Sequence, residues 1–171
     1  MKFAKILPTI LFSALIVGIS SCHRKTIPAK SPSTSNADNN NVAGDTANMK
    51  QDILFYINQH RKSIGLTTLQ MLNIASIEAT RHCTNMANHR VAFGHDGFEA
   101  RVAAIARSLG TVSAAAENVA DGQLTAKQVV DGWLHSPGHK KNIEGNYALT
   151  GIGIARDAGG VLYFTEIFIL K

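Results

Sequence analysis

A mostly apolar set of side chains, Met49, Ile53, Ile57, His60 and Ile64, recurs at three- and four-residue steps, and Gly65 follows as a C-terminal stop. That spacing predicts a first helix. Residues 66–69 read as a short extended link, and Leu72, Ala75, Ala79, Cys83 and Met86 mark the buried stripe of a second helix over about residues 70–90. Gly94-His95-Asp96-Gly97 breaks the pattern with a turn, and residues 99–109 form a third helix closed by Gly110. Thr125 and Gln128 make a capping box, in which hydroxyl and amide satisfy backbone N–H groups at the start of a helix. That helix carries Val129, Val130, Trp133 and Leu134, and Pro137 stops it. Beyond it the period falls to two. Residues 149–154 and 161–170 read as strands around the turn at 157–160, with 114–119 as a further strand. Helices on a small antiparallel sheet make the fold class α+β, without an internal repeat.

The segment before this body has a different character. Lys2 and Lys5 precede a 14-residue, largely apolar run from Ile6 to Ile19, and Ser20-Ser21-Cys22 follows. The run suits a signal peptide and is short of the roughly 20 residues needed to span a bilayer. Small residues directly before a cysteine resemble a bacterial lipobox. The resemblance implies cleavage after Ser21 and lipidation of Cys22 with palmitate-like acyl chains, so that the membrane becomes a partner through Cys22. More than one chain gives stable anchoring. The residue after Cys22 is His23, not Asp, which by the usual sorting pattern points to the outer membrane. Residues 23–48 are rich in Ser, Thr, Asn, Pro and Ala, with few large apolar side chains. Such a composition cannot offset its conformational entropy, so 22–48 is expected to be a disordered tether of about 30 Å reach. The expected organisation is therefore signal peptide 1–21, tether 22–48 and folded domain 49–171, in a bacterial cell envelope.

Charge narrows the function. The net charge of +5 is carried mostly by the front end: residues 50–171 hold 12 basic and 10 acidic side chains, with no basic run. Nucleic acid is not an expected partner. With Cys22 lipidated, Cys83 has no disulfide partner and reads as a small buried apolar residue.

Four polar positions stand out. His95 lies in a glycine-flanked loop, Glu117 interrupts the apolar run Ala116-Glu117-Asn118-Val119-Ala120, His139 follows Ser136-Pro137-Gly138 just past a helix end, and Asn142 comes one turn later. Each alone is an ordinary surface or capping residue. In this order, with Asn58-Gln59-His60-Arg61, Gly65-Leu66, Leu69, His82, Met86-Ala87, Phe93-Gly94-His95, Trp133, Asn142-Ile143 and Tyr163-Phe164-Thr165-Glu166-Ile167-Phe168, they resemble the CAP superfamily. This is the family of cysteine-rich secretory, antigen 5 and pathogenesis-related 1 proteins, also called SCP-like, here in its bacterial form. The likeness covers about residues 49–171.

The resemblance implies an α-β-α sandwich whose central cleft is lined by His95, Glu117 and His139. It also exposes departures. The family's second acid falls where this chain has Ser136, and the second histidine of eukaryotic members falls at Tyr163, with His139 as the bacterial substitute. Two imidazoles and one carboxylate could hold Zn²⁺ or another divalent cation with a fourth position open. Without metal, Glu117 could bridge both rings and raise their pKa values. Ser136 lacks a nucleophile-elbow context. Glu78 and His82, one turn apart, could pair on a helix face. Trp133 reads as core beneath the cleft wall, and Lys140 and Lys141 as a solvated helix start. Three functions compete: a binding module for a lipid, peptide or glycan, in line with the family's association with lipids and partners; a metal-dependent hydrolase of peptide or envelope polymer; and a structural envelope protein with a relic cleft. The missing second acid weighs against catalysis.

Overall fold

The structure, a computed structural model, describes residues 37–171. The expected signal peptide, Cys22 and residues 23–36 lie outside them. Five helices and four strands follow in the order α1 (Ala37–Ser63), β1 (Gln70–Met71), α2 (Asn73–Ala87), α3 (Phe98–Leu109), β2 (Ala114–Asp121), α4 (Ala126–His135), α5 (Pro137–Ile143), β3 (Leu149–Arg156) and β4 (Leu162–Leu170). Helix α1 starts at Ala37, so residues 37–48, expected in the tether, are helical. Their Ala, Asp and Asn content lacks the apolar stripe by which a helix is recognised in sequence, whereas Met49, Ile53 and Ile57 further along join the apolar core. None of the helices among the described residues is long and apolar enough to cross a membrane.

The sheet runs β1-β3-β4-β2. Strand β4 pairs antiparallel with β2 and β3, as the sequence suggests, but the two-residue β1 runs parallel to β3 and makes the sheet mixed. Asn58 holds β1 in place: its amide donates to Leu69 O at 3.0 Å, and its Oδ1 accepts from Leu69 N–H at 2.7 Å. Alternation along β4 sends Phe164 and Phe168 into a core shared with α1 and α4, through Ile53, Ile57, Val129, Val130 and Trp133. Ile167 and Ile169 enter a second core with Ala75, Ala79 and Ile105 of α2 and α3. Three layers result, with the sheet between helices.

Helix α2 lies very close to β3. A Cβ on Gly151 or Gly153 would collide with the α2 backbone at Ala75 and Ala79, so only glycine fits beneath the small-residue stripe. Cys83 continues that stripe; its thiol is buried, meets Thr165 Oγ1 at 3.1 Å, and is pushed up to about 12 by burial. It is the inert packing residue its spacing suggests. Helix α4 is capped as expected at Thr125, whose hydroxyl accepts from Gln128 N–H at 3.2 Å, while Gln128 Oε1 accepts from Leu124 N–H. Pro137 both ends α4 and opens α5, where its missing N–H costs nothing.

Glu166 sits on the α1 side of β4, fully buried between Phe164 and Phe168. Oε1 lies 2.9 Å from Thr150 Oγ1, which is also 3.1 Å from Ile167 O, and Oε2 has no partner among the described residues. One hydroxyl proton cannot serve both contacts. A protonated Glu166 resolves this by donating to Thr150, which then donates to Ile167 O. Burial raises the carboxyl from 4.5 to about 8, against the smaller opposing effects of Thr150 and the Arg61 charge. Because the folded state holds this proton more tightly, its contribution is complete below about pH 4.5 and is lost as pH rises through about 8. Denaturant unfolding from pH 5 to 8.5 should therefore show Glu166→Gln gaining on the native protein as pH rises, by about 4 kcal/mol over the range. A difference that stays flat with pH would show that Glu166 carries no such proton.

Candidate functional site

The loop before α3 sets the first functional side chain. Gly94 and Gly97 have φ of +146° and +78°, backbone that a side chain would strain, and between them His95 projects with 52% of its side chain exposed. Its Nδ1 lies 3.0 Å from Glu117 Oε1. Glu117 is on β2, and only 1% of its side chain is exposed.

The residue that organises this pair is Arg101 of α3, which sequence reasoning did not single out. Its Nε donates to Glu117 Oε2 at 2.8 Å and its Nη2 to Oε1 at 2.7 Å. Nη1 donates to His82 Nδ1 at 3.1 Å and Asp96 O at 2.8 Å, and Nη2 also reaches His95 O at 3.3 Å. His82 completes the chain, its Nε2–H donating to Gly94 O at 2.8 Å. Burial, the largest influence, lowers the basicity of His82. Glu78 pairs with Arg81 and not with His82, correcting the helix-face pair expected from spacing. A signal for Arg101 did exist: with Phe98, Ile105 and Leu109 it occupies the apolar stripe of α3, where a charge needs a buried partner.

His139 comes from α5, which is fastened to β2 by two amides. Asn118 Nδ2 donates to His139 O at 3.2 Å, and Asn142 Nδ2 donates to Glu117 O and Asn118 Oδ1 at 3.2 and 2.9 Å. Asn142 therefore positions a segment instead of facing a ligand. The His139 ring is half-buried, and burial, then the neighbouring His95, lowers its pKa. His95 and His139 line one cavity of about 530 Å³ with Phe93, Val119, Trp133 and Ser136. Glu117 lies behind His95 and is not part of that wall. Tyr163, at the position of the missing second histidine, packs with Cys83, Met86 and Val119 instead.

The geometry does not provide the three-ligand set anticipated for Zn²⁺. Both Glu117 oxygens are taken by Arg101, so its carboxylate neither bridges the two rings nor stands free for a cation. Among the described residues no group of three or more His, Cys, Asp or Glu could hold a metal. Two imidazoles remain as donors, fewer than the three protein ligands of catalytic zinc sites.

Removing one partner of a buried ion pair leaves an uncompensated charge. Arg101→Met should cost about 3–5 kcal/mol in denaturant unfolding, and adding Glu117→Met should restore much of it. A single variant costing under about 1 kcal/mol would show that the pair is not structural.

Comparison with known proteins follows the same segments. The family described as CAP, the cysteine-rich secretory protein family, matches residues 54–168. The protein YkwD of Bacillus subtilis (strain 168) is 28% identical over 152 residues, 84% of this chain; the match spans 56% of YkwD, so this chain covers little more than half of that relative's length. Among solved structures, an outer surface protein of Borrelia burgdorferi superposes with a TM-score of 0.60 at 20% identity, over 72% of this chain and 95% of that one. An extracellular protein of Bacillus anthracis containing an SCP domain gives 0.62 at 25% identity, over 73% and 41%. With the family pattern running through both cores, the 94–97 loop and α5, the chain belongs to the CAP, or cysteine-rich secretory protein, family.

Proposed function

We propose that this CAP domain is a binding module of the cell envelope, without catalysis, whose cleft beside His95, Glu117 and His139 takes a small ligand with an apolar body. The observation that carries the reading is the cavity wall. It is more apolar than polar, with Phe93, Val119, Ala120, Val129 and Trp133 among its lining residues, and its volume lies within the roughly 300–1,000 Å³ of small-molecule sites. Gly132, inside α4, also faces the cavity, and a Cβ there would meet nothing within 4 Å. A glycine inside a helix costs about 1 kcal/mol relative to alanine. No close approach demands it here; what it provides is open wall, which argues against a relic cleft.

The wall favours a lipid-like ligand over a bare peptide or glycan. A metal-dependent hydrolase finds less support, since a cation would have His95 and His139 and no third ligand among the described residues. Export and surface display are supported by the names of the relatives, an outer surface protein and an extracellular protein. The Ser20-Ser21-Cys22 sequence supports anchoring through a lipidated Cys22, with the outer membrane as the destination.

Trp133 is the only tryptophan of the sequence, is 1% exposed and lines the cleft, so its emission reports occupancy. Ten-carbon alkyl amphiphiles, added below their micelle concentrations, should shift that emission with one-to-one stoichiometry. Because a Cβ at Gly132 meets nothing within 4 Å, Gly132→Leu should extend into the cleft and weaken binding at least about ten-fold while leaving the melting temperature equal or higher. Binding untouched by Gly132→Leu would place the ligand elsewhere. In a bacterial host, Cys22→Ala should move the protein from the membrane to the soluble fraction; a variant that still sediments with membranes would rule out the lipid anchor.

A further inference from the structure

The hydrogen bonds behind the cleft fix where protons lie. A guanidinium only donates, so Arg101 makes His82 Nδ1 an acceptor and both Glu117 oxygens acceptors. Glu117 Oε1 then accepts Nδ1–H of His95. In the neutral form of the ring that Nδ1–H is its one proton, which leaves the Nε2 of His95 as a lone pair on the ring edge turned away from the buried carboxylate. Gln123, a further wall residue, has a buried Oε1 with no partner among the described residues, an acceptor that awaits a donor beside its own amide N–H groups, and Asp121 adds a carboxylate residue to the rim. The wall contains no Lys or Arg; Lys140 and Lys141, though next to His139 in sequence, border a separate depression. The His139 ring has no hydrogen-bond partner among the described residues and brings one donor and one acceptor. A cavity with these acceptors and no fixed cation repels carboxylate and phosphate heads. It suits a group that donates to His95 while accepting from His139, which a single hydroxyl does.

We propose that the polar part of the cleft recognises hydroxyls, and that the ligand is an uncharged amphiphile with a polyol head, a glycerolipid or glycolipid fragment. Arg101 acts as a positioning residue: by engaging Glu117 it sets the His95 tautomer and so the donor character demanded of the ligand. The inference rests on the cleft binding an apolar body, as proposed above.

The test compares four ten-carbon probes at pH 8 by Trp133 emission and calorimetry: 1-decanoyl glycerol, decyl glucoside, decanoate and decyltrimethylammonium. The two neutral heads separate the glycerol from the sugar source, and at least one should bind ten-fold or more tighter than both charged probes. His95→Phe keeps a ring of similar size on a half-exposed loop and removes the lone pair. It should cost the neutral ligand about ten-fold and leave decanoate unchanged. Gln123→Leu, away from that loop, should act in the same direction. Decanoate or decyltrimethylammonium binding as tightly as the neutral probes, or neutral binding indifferent to both substitutions, overturns the head-group assignment alone. Silence from all four probes overturns the reading of the cleft itself, and this inference with it.

Discussion

The Arg101–Glu117 pair joins four segments of the chain. Arg101 is on α3 and Glu117 on β2, and through the same guanidinium α2 is reached at His82 and the 94–97 loop at the carbonyls of His95 and Asp96. Taking two charges out of water normally outweighs their attraction unless the remaining hydrogen-bonding capacity is used. Here all five N–H donors of Arg101 have acceptors, and Glu117 accepts from three donors. The pair is tolerated in the interior because it is saturated, and saturation requires the loop to adopt one conformation. The placement of His95 is thus a consequence of satisfying a buried arginine.

A second buried arginine does the same for the other side of the cleft. Arg61, 1% exposed at the end of α1, donates to the carbonyls of Thr67, Ile143, Gly145 and Tyr147. Those carbonyls belong to the link after α1, to the last residue of α5 and to the turn that leads on to β3, backbone that no strand or helix satisfies. Where α5 stops is thereby fixed from α1, and where it starts is fixed by Pro137. Asn118 and Asn142 then tie it to β2. Both imidazoles, 44 positions apart in sequence, reach one cavity because side chains of high donor count hold irregular backbone, a task short helices and loops cannot perform by themselves.

Periodicity revealed the elements that bury a face and missed those that do not. The stripes at Ile53–Ile57 and Ala75–Ala79–Cys83 and the capping pair Thr125–Gln128 reported on packing and on backbone N–H groups, which are local physics. Residues 37–48 carry no stripe, β1 is two residues long, and α5 has a single buried residue, Ile143; a seven-residue helix leaves no period to detect. The family pattern located His95, Glu117 and His139, and two of the three do line the cleft. It could not show that Glu117 faces an arginine, because that depends on which turn of α3 meets β2. Arg101 and Glu166 were nevertheless visible as charges at apolar positions, the one with Phe98 and Ile105, the other between Phe164 and Phe168. A charge on a buried stripe marks a partner still to be found.

These two buried carboxylates answer the same difficulty in opposite ways, and the contrast bears on what the cleft can do. Glu166 has one hydroxyl, a second oxygen without a partner among the described residues, and the Arg61 charge without a hydrogen bond from it, so burial lets it keep a proton to higher pH. Glu117 has a full counter-ion at 2.7 and 2.8 Å, so its charge is already committed to Arg101. A carboxylate engaged in that way is a poor metal ligand, since binding a cation would set it against the guanidinium. What it can do is hold an imidazole in one orientation. The resemblance implies a second acid where this chain has Ser136, and the one carboxylate at hand, Glu117, is locked to Arg101, which supports the proposed reading of the cavity as a place of recognition.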